Sequence, residues 1–126
     1  MIVENLHHVA IVVSDYEKSK DFYVNKLGFT VIREEHRQQQ NDIKLEVQLG
    51  NCMLEIFGKV NPQPNHGKPT RCGMWHLCFH APDLDTSIAQ LNALGIPTDP
   101  IMINAFNGKR IVFFYDPDGL PLELHE

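Results

Sequence analysis

The sequence lacks a long hydrophobic run. Its first residues, MIVENLHHVAIVVSDY, contain one short apolar segment that is preceded by Glu4 and two histidines and by no basic region. Such a segment is too short to span a membrane, and it lacks the positively charged start of a secretory signal peptide. We therefore expect a cytoplasmic protein that has no membrane partner.

Cysteine, positive charge and nucleotide-binding motifs are also scarce. The three cysteines, Cys52, Cys72 and Cys78, form no CxxC pair, and an odd number of them predicts reduced thiols and no disulfide framework. The formal net charge is −5, and no stripe of lysine or arginine is present to attract a phosphate backbone, so nucleic-acid binding is not expected. No GxGxxG or P-loop occurs, which argues against a nucleotide cofactor.

The residues that are present indicate a single globular domain. The chain has 126 residues, of which 43% are apolar and 21% charged. A domain of this size buries a core without disulfides or structural metals, so a bound metal would serve chemistry and not folding.

An internal repeat divides the chain into two halves. The segments HVAIVVSD and HLCFHAPD begin at His8 and His76, and both pass through apolar residues to an aspartate seven positions later. The same offset of 68 residues carries Glu55, in LEI, onto Glu123, in LEL, so the spacing from histidine to glutamate is 47 in each half. Such agreement in residue type and spacing predicts a duplicated module.

Each half is predicted to fold as a βαβββ module. Module one spans residues 4–58 and module two residues 74–126, and a linker rich in proline and glycine, residues 59–73, joins them. Alternating and helical apolar patterns predict the elements of module one: a strand over 6–13, a helix that Ser14 or Asp15 caps and Gly28 ends, and strands over 29–33, 44–49 and 51–57. The same patterns predict in module two a strand over 74–80, a helix ended by Gly95, and strands over 97–103, 110–115 and 120–125.

Strand alternation directs four chemically reactive side chains away from the helix-packed face. His8 and Glu55 share this orientation in module one, as do His76 and Glu123 in module two. A carboxylate among buried residues costs free energy unless it has a partner. Two modules related by a pseudo-twofold axis would bring these side chains together as a site for zinc, nickel, cobalt, manganese or iron. The absence of thiolates there argues against a structural zinc site, and a salt-bridged polar cluster without metal is the alternative.

Three further residues lie near these positions. His7 is predicted to face the opposite side of the strand from His8 and to have a structural role. Cys78 and His80 share the face of His76 and are predicted to line the site, with ligand contact as the alternative.

The chain resembles the vicinal-oxygen-chelate (glyoxalase/bleomycin resistance/dioxygenase) superfamily over nearly its whole length. The resemblance rests on four segments: HHVAIVVSDYEKSKDFYVNKLGF at 7–29, LEIF at 54–57, WHLCFHAPDLD at 75–85 and FFYDPDGLPLEL at 113–124. It implies an α+β fold in which two paired βαβββ modules form an eight-stranded cup, with helices on the convex face and the metal at the floor. The His8/Glu55/His76/Glu123 set is similar to that of bacterial glyoxalase I, whereas dioxygenases use two histidines and one carboxylate.

The resemblance also implies an activity and an assembly. It predicts a homodimeric glyoxalase I-like lyase of the lactoylglutathione lyase class, with nickel or zinc as the first choice of metal and a small-molecule substrate. Glu123 and Glu55 are the predicted catalytic residues, which remove and return a proton while a metal-stabilised enediolate forms from a hemithioacetal, as in methylglyoxal detoxification.

The identity of the thiol is left open by the sequence. Glutathione-using relatives have an arginine four residues after the first ligand histidine, where this chain has Val12. A different thiol or a different vicinal-oxygen substrate is therefore expected, and Lys109 or Arg110 is a candidate for binding the anionic part of the substrate. The alternative functions are a fosfomycin-type thiol transferase and a non-catalytic small-molecule binding or resistance protein.

Overall fold

The structure is a computed structural model that describes residues 2–64 and 72–126. The chain divides into two compact units, Met1–Pro64 and Asn65–Glu126. The predicted linker, 59–73, includes residues 65–71, which lie outside the described residues.

The first unit is a four-stranded sheet with one helix. Its elements are β1 (Val9–Val13), α1 (Tyr16–Lys20), which continues as a π-helical segment (Asp21–Lys26), β2 (Thr30–Arg37), β3 (Asp42–Leu49) and β4 (Cys52–Lys59). The strand order is β1-β4-β3-β2, in which β1 and β4 are parallel and the other neighbours antiparallel. The last strand of the unit therefore lies beside the first.

The second unit repeats this topology. Its elements are β5 (Leu77–His80), α2 (Leu84–Ala93), β6 (Met102–Ile103), β7 (Arg110–Tyr115) and β8 (Pro121–His125). The order β5-β8-β7-β6, with β5 parallel to β8, matches that of the first unit. The prediction of an α+β fold with two βαβββ modules is thus confirmed.

Equivalent residues begin and end the two helices. The carboxylates of Asp15 and Asp83 accept hydrogen bonds from the backbone N–H of Lys18 and Thr86, each at 3.1 Å, and so cap the helix N-termini. Gly28 and Gly95 follow the helical segments with φ of +83° and +76°, a conformation that glycine adopts at little cost. No helix among the described residues is long and apolar enough to cross a membrane.

One face of each sheet carries the core. Leu54 and Ile56 of β4 are buried in the first unit, and Leu122 and Leu124 of β8 are buried in the second. The residue between them in each strand, Glu55 or Glu123, points to the opposite face because strand side chains alternate. The alternation that places the core thus also places the two carboxylates.

Several predicted boundaries were wrong by a few residues. β1 and β5 begin at Val9 and Leu77, and not at positions 6 and 74, so both candidate histidines directly precede a strand. The predicted strand over 97–103 is reduced to Met102–Ile103, because Pro97 and Pro100 lack the N–H that a ladder requires. The strand neighbouring β7 is correspondingly short.

Candidate functional site

The first unit brings His8 and Glu55 together. The parallel register pairs Ala10 of β1 with Glu55 of β4, and His8 precedes Ala10 by two residues. The Nε2 atom of His8 lies 3.4 Å from Oε1 of Glu55, and the two side chains are 38% and 12% exposed. A histidine and a carboxylate that are 47 positions apart in sequence thus become neighbours through strand pairing.

The second unit brings His76 and Glu123 together in the same way. Cys78 of β5 pairs with Glu123 of β8, and His76 precedes Cys78 by two residues. The Nε2 atom of His76 lies 2.9 Å from Oε2 of Glu123, and the side chains are 24% and 9% exposed. Each unit therefore presents one imidazole nitrogen beside one carboxylate oxygen at equivalent positions.

The spacing of the donor atoms in each pair fits a divalent ion. Two ligands that occupy adjacent positions on one ion, each at about 2.0–2.2 Å, lie roughly 3 Å apart. The separations of 3.4 Å and 2.9 Å are close to that value. Within either unit, the described residues contain no group of three or more His, Cys, Asp or Glu side chains placed to hold an ion, so each unit offers two candidate ligands.

His7 orients the His8 ring, a contact that the sequence did not predict. The Nδ1 atoms of the two imidazoles lie 2.9 Å apart, and the rings meet edge to face. A hydrogen bond at Nδ1 leaves Nε2 for the carboxylate side, and metal-binding histidines commonly have such a bond on their second nitrogen. Both histidines precede β1, so strand alternation does not determine how their two rings are oriented.

The His76 ring is packed between aromatic side chains. It makes edge-on contacts with Trp75 and Phe113, both at a centroid distance of 5.2 Å. Its buried Nδ1 atom has no hydrogen-bond partner among the described residues. Because a buried polar atom without a partner costs free energy, the Nδ1 atom itself does not stabilise the fold.

The two glutamates differ in their immediate surroundings. Oε2 of Glu55 lies 3.3 Å from Nζ of Lys44, a residue of the neighbouring strand β3. Glu123 has Cys78 and Phe113 as its cross-strand neighbours and no lysine in the equivalent place. Partial burial and the nearby Glu123 carboxylate raise the pKa of the Cys78 thiol to about 11, so the thiol stays protonated at neutral pH.

The remaining candidates occupy different environments. His80 pairs in register with His125, two residues along β5 from Cys78, and its role in lining the site stays a prediction. Arg110 is a poor anion-binding candidate because its guanidinium already contacts Asp85 at 3.1 Å and Glu126 at 2.9 Å. These two carboxylates raise the pKa of Arg110, as expected of a paired guanidinium.

Known proteins share this sequence and fold. The chain is 45% identical to the uncharacterized protein YwkD of Bacillus subtilis, over 100% of this chain and 99% of that protein. A solved structure of a glyoxalase family protein from Enterococcus faecalis is 48% identical, with a TM-score of 0.93 and full coverage of both chains. The mitochondrial methylmalonyl-CoA epimerase of Bos taurus is 29% identical over 96% of this chain and 73% of the epimerase.

A family match covers nearly all of both units. Residues 5–124 match the Glyoxalase/Bleomycin resistance protein/Dioxygenase superfamily. The matched range includes both histidine–glutamate pairs and every strand of the repeated topology except the last residue of β8. The chain therefore belongs to the Glyoxalase/Bleomycin resistance protein/Dioxygenase superfamily.

Proposed function

We propose that the chain is a glyoxalase I-like lyase of small vicinal-oxygen substrates, with one divalent metal ion held by His8, Glu55, His76 and Glu123. The substrate class is the hemithioacetal of a 2-oxoaldehyde and a thiol. Nickel and zinc are the first choices of metal, because imidazole and carboxylate ligands suit both. The proposal extends to a cytoplasmic homodimer in which each ion takes donors from both kinds of unit.

One observation carries the proposal. In each unit an imidazole Nε2 atom and a carboxylate oxygen lie 3.4 Å or 2.9 Å apart, at positions related by the repeat. A structural ion pair alone explains neither the duplication of this arrangement nor the buried, unpartnered Nδ1 atom of His76 in the described part of the chain. Two imidazoles and two carboxylates form a suitable donor set for a catalytic first-row ion.

The chemistry follows from the carboxylates. When bound, the divalent ion would act as a Lewis acid that polarises two adjacent substrate oxygens and makes the neighbouring C–H more acidic. Glu123 and Glu55 would serve as the base that removes this proton and the acid that returns it to the adjacent carbon. The net result is a 1,2-hydrogen shift that converts the hemithioacetal to the thioester of a 2-hydroxy acid.

Proton exchange beside a thioester carbonyl is the second candidate function. It is favoured by the 29% identity to a methylmalonyl-CoA epimerase along almost the whole chain. The same two carboxylates would remove the proton from one face of the carbon and return it to the other. A thiol transferase of the fosfomycin type and a non-catalytic binding protein are less well supported, since neither uses two acid–base carboxylates.

Turnover of methylglyoxal with a panel of thiols is the direct test. Protein purified without chelator and reconstituted with nickel or zinc should form a 2-hydroxyacyl thioester with at least one thiol, and chelation should stop the reaction. Solvent-deuterium exchange into an acyl-CoA thioester without added thiol would instead support the epimerase. Failure of the metal-loaded protein in both assays would contradict the proposal.

Glu123→Gln should lower kcat/KM by at least about 100-fold, because general acid–base groups typically contribute a factor of 10² to 10⁴. The amide retains the shape of the side chain but does not accept a proton. The measurement is steady-state turnover together with deuterium exchange at the reacting carbon. Glu17→Gln, which changes an exposed carboxylate on α1, is the matched control and should leave both rates unchanged. Unchanged turnover by Glu123→Gln would disprove the assignment of this residue.

A further inference from the structure

Lys44 lies between two carboxylates on the site face of the first sheet. Its Nζ atom is 3.3 Å from Oε1 of Glu46 and 3.3 Å from Oε2 of Glu55. All three side chains are less than one-fifth exposed, at 19%, 17% and 12%. Solvent screening of this group is therefore weaker than for an ordinary surface ion pair.

The two oxygens of Glu55 have different partners. Oε1 lies toward Nε2 of His8, at 3.4 Å, and Oε2 lies toward Nζ of Lys44, at 3.3 Å. A carboxylate held on both sides in this way has little freedom to rotate about its terminal bond. Oε2 contacts the lysine, while Oε1 remains beside the imidazole.

We propose that Lys44 is a positioning residue that holds Oε2 of Glu55, so that only Oε1 faces the ion. This inference rests on the proposed function, because it assumes that His8 and Glu55 bind a metal. Lysine has no role as a ligand here, since its ammonium group donates hydrogen bonds and has no lone pair. Lys44 would instead affect the orientation of the Glu55 carboxylate and its affinity for the metal ion.

Glu46 explains why a cation is tolerated so close to a metal ligand. The Lys44–Glu46 pair is neutral overall, so it exerts only a weak repulsive field on a divalent ion. Glu46 and Glu55 are also directly opposite in the antiparallel register of β3 and β4. Like charges in such positions repel, and Lys44 offsets this repulsion by contacting both carboxylates.

The role is specific to the first unit. Lys44 lies two residues before Glu46, the partner of Glu55 in β3, and the residue two positions before Phe113, the partner of Glu123 in β7, is the uncharged Ile111. Loss of Lys44 should therefore disturb one of the four proposed ligands and leave the other three in place. The expected result is a weakened and altered site, and not a complete loss of binding.

Lys59 provides a matched control on the same sheet face. It belongs to β4, and its Nζ atom lies 2.6 Å from Oδ2 of Asp42. Lys59→Met removes an ammonium group and its ion pair, as Lys44→Met does, but from a different carboxylate. A difference between the two variants would therefore report on Glu55 and not on the general loss of charge.

Cobalt binding to the full chain tests the inference. Calorimetry should give a Kd for Co²⁺ that is at least about 10-fold weaker in Lys44→Met than in the unmodified protein, the range typical for partners of metal ligands. The visible absorption of bound Co²⁺ should also change, because release of Oε2 alters the coordination. Lys44→Arg should largely restore both readouts, and Lys59→Met should change neither. If Lys44→Met fails to fold, Lys44→Gln replaces it in the same comparison.

The possible failures can be told apart. If the unmodified protein binds Co²⁺ but Lys44→Met has the same Kd and spectrum as Lys59→Met, the positioning role of Lys44 is wrong and the proposed metal site stands. If the unmodified protein binds no Co²⁺, both the proposed function and the role of Lys44 are wrong.

Discussion

At the scale of single residues, Asp42 shows how a buried charge is stabilised beside the site. Its carboxylate accepts hydrogen bonds from Arg37, at 2.7 and 2.6 Å, and from Lys59, at 2.6 Å. These two cations hold the pKa of Asp42 well below its ordinary value of 3.8. Because the pKa is lower in the folded state, the ionised carboxylate stabilises the fold above about pH 4, and this contribution declines as the pH falls further.

Asp42→Asn should therefore reduce stability most at neutral pH. The difference in unfolding free energy between the variant and the unmodified protein should be constant from pH 7 to about 5 and should shrink as the pH falls below about 4. Urea unfolding at a series of pH values measures this difference. Glu4→Gln, which alters an exposed carboxylate, should show no such trend. If the loss of stability in Asp42→Asn does not depend on pH, the lowered pKa of Asp42 is not what stabilises the fold.

The repeat predicted the two histidine–glutamate pairs but not the residues that support them. His8, Glu55, His76 and Glu123 were found because their type and spacing recur, and strand pairing brings each pair to within 3.4 Å. His7 and Lys44 have no repeated counterpart that could have marked them, since Trp75 stands at the repeat offset from His7 and the strand register places Ile111 at the position of Lys44. Their contacts depend on side-chain geometry, which strand periodicity does not determine.

At the scale of secondary-structure elements, Gly58 allows α1 to pack closely on β4. A Cβ atom at this position would lie 2.9 Å from Cβ of Tyr16, closer than two such carbons approach. Tyr16 is the first residue of α1, so this contact sets how near the start of the helix lies to the sheet. The strand therefore needs a residue without a side chain at this point.

Gly58→Ala should destabilise the protein by about 1–3 kcal/mol, the usual cost of overpacking. Thermal or urea unfolding measures the loss. In a Tyr16→Gly background the same substitution should cost less, because both Cβ and the ring of Tyr16 are gone, and the double-mutant cycle isolates this interaction. Equal costs in the two backgrounds would show that the Tyr16 contact is not the cause.

The predicted elements were correct in type and order and less accurate in extent. Apolar alternation, the cap predicted at Ser14 or Asp15, and the helix ends predicted at Gly28 and Gly95 located the helices and most strands, because these signals are local. The π-helical segment at Asp21–Lys26, which continues α1, was not predicted. Its wider turn is closed by a hydrogen bond from the Leu27 N–H to the Phe22 carbonyl, at 2.9 Å. A π-helical turn depends on tertiary packing of the helix and has no simple apolar period.

At the scale of the whole molecule, the βαβββ topology of each unit is confirmed, and the eight-stranded cup and the dimer stay predictions. One shared ion would couple the units thermodynamically. Zinc at 100 times its Kd should raise the free energy of unfolding by about 2.7 kcal/mol. Thermal unfolding with and without chelator measures this gain.

The predicted dimer has a separate test. Light scattering after gel filtration should give the mass of two chains.

Single histidine variants test whether both units contribute to that ion. His8→Ala and His76→Ala change one unit each, and either one should abolish most of the stabilisation by zinc. His36→Ala removes an exposed histidine of β2 and should retain the full effect. Loss in only one of the two ligand variants would mean that the ion binds within a single unit.

The parallel pairing of the first and last strands of each unit has a consequence for the order of events in the cell. Histidine and glutamate meet only when β1 pairs with β4 and β5 pairs with β8, which are contacts between segments that are distant in sequence and intrinsically slow to form. Under the proposed function, the ion would therefore bind only after these strands have paired. Loading should accordingly be reversible, and the ion supplied by the growth conditions should determine which metal the purified protein carries.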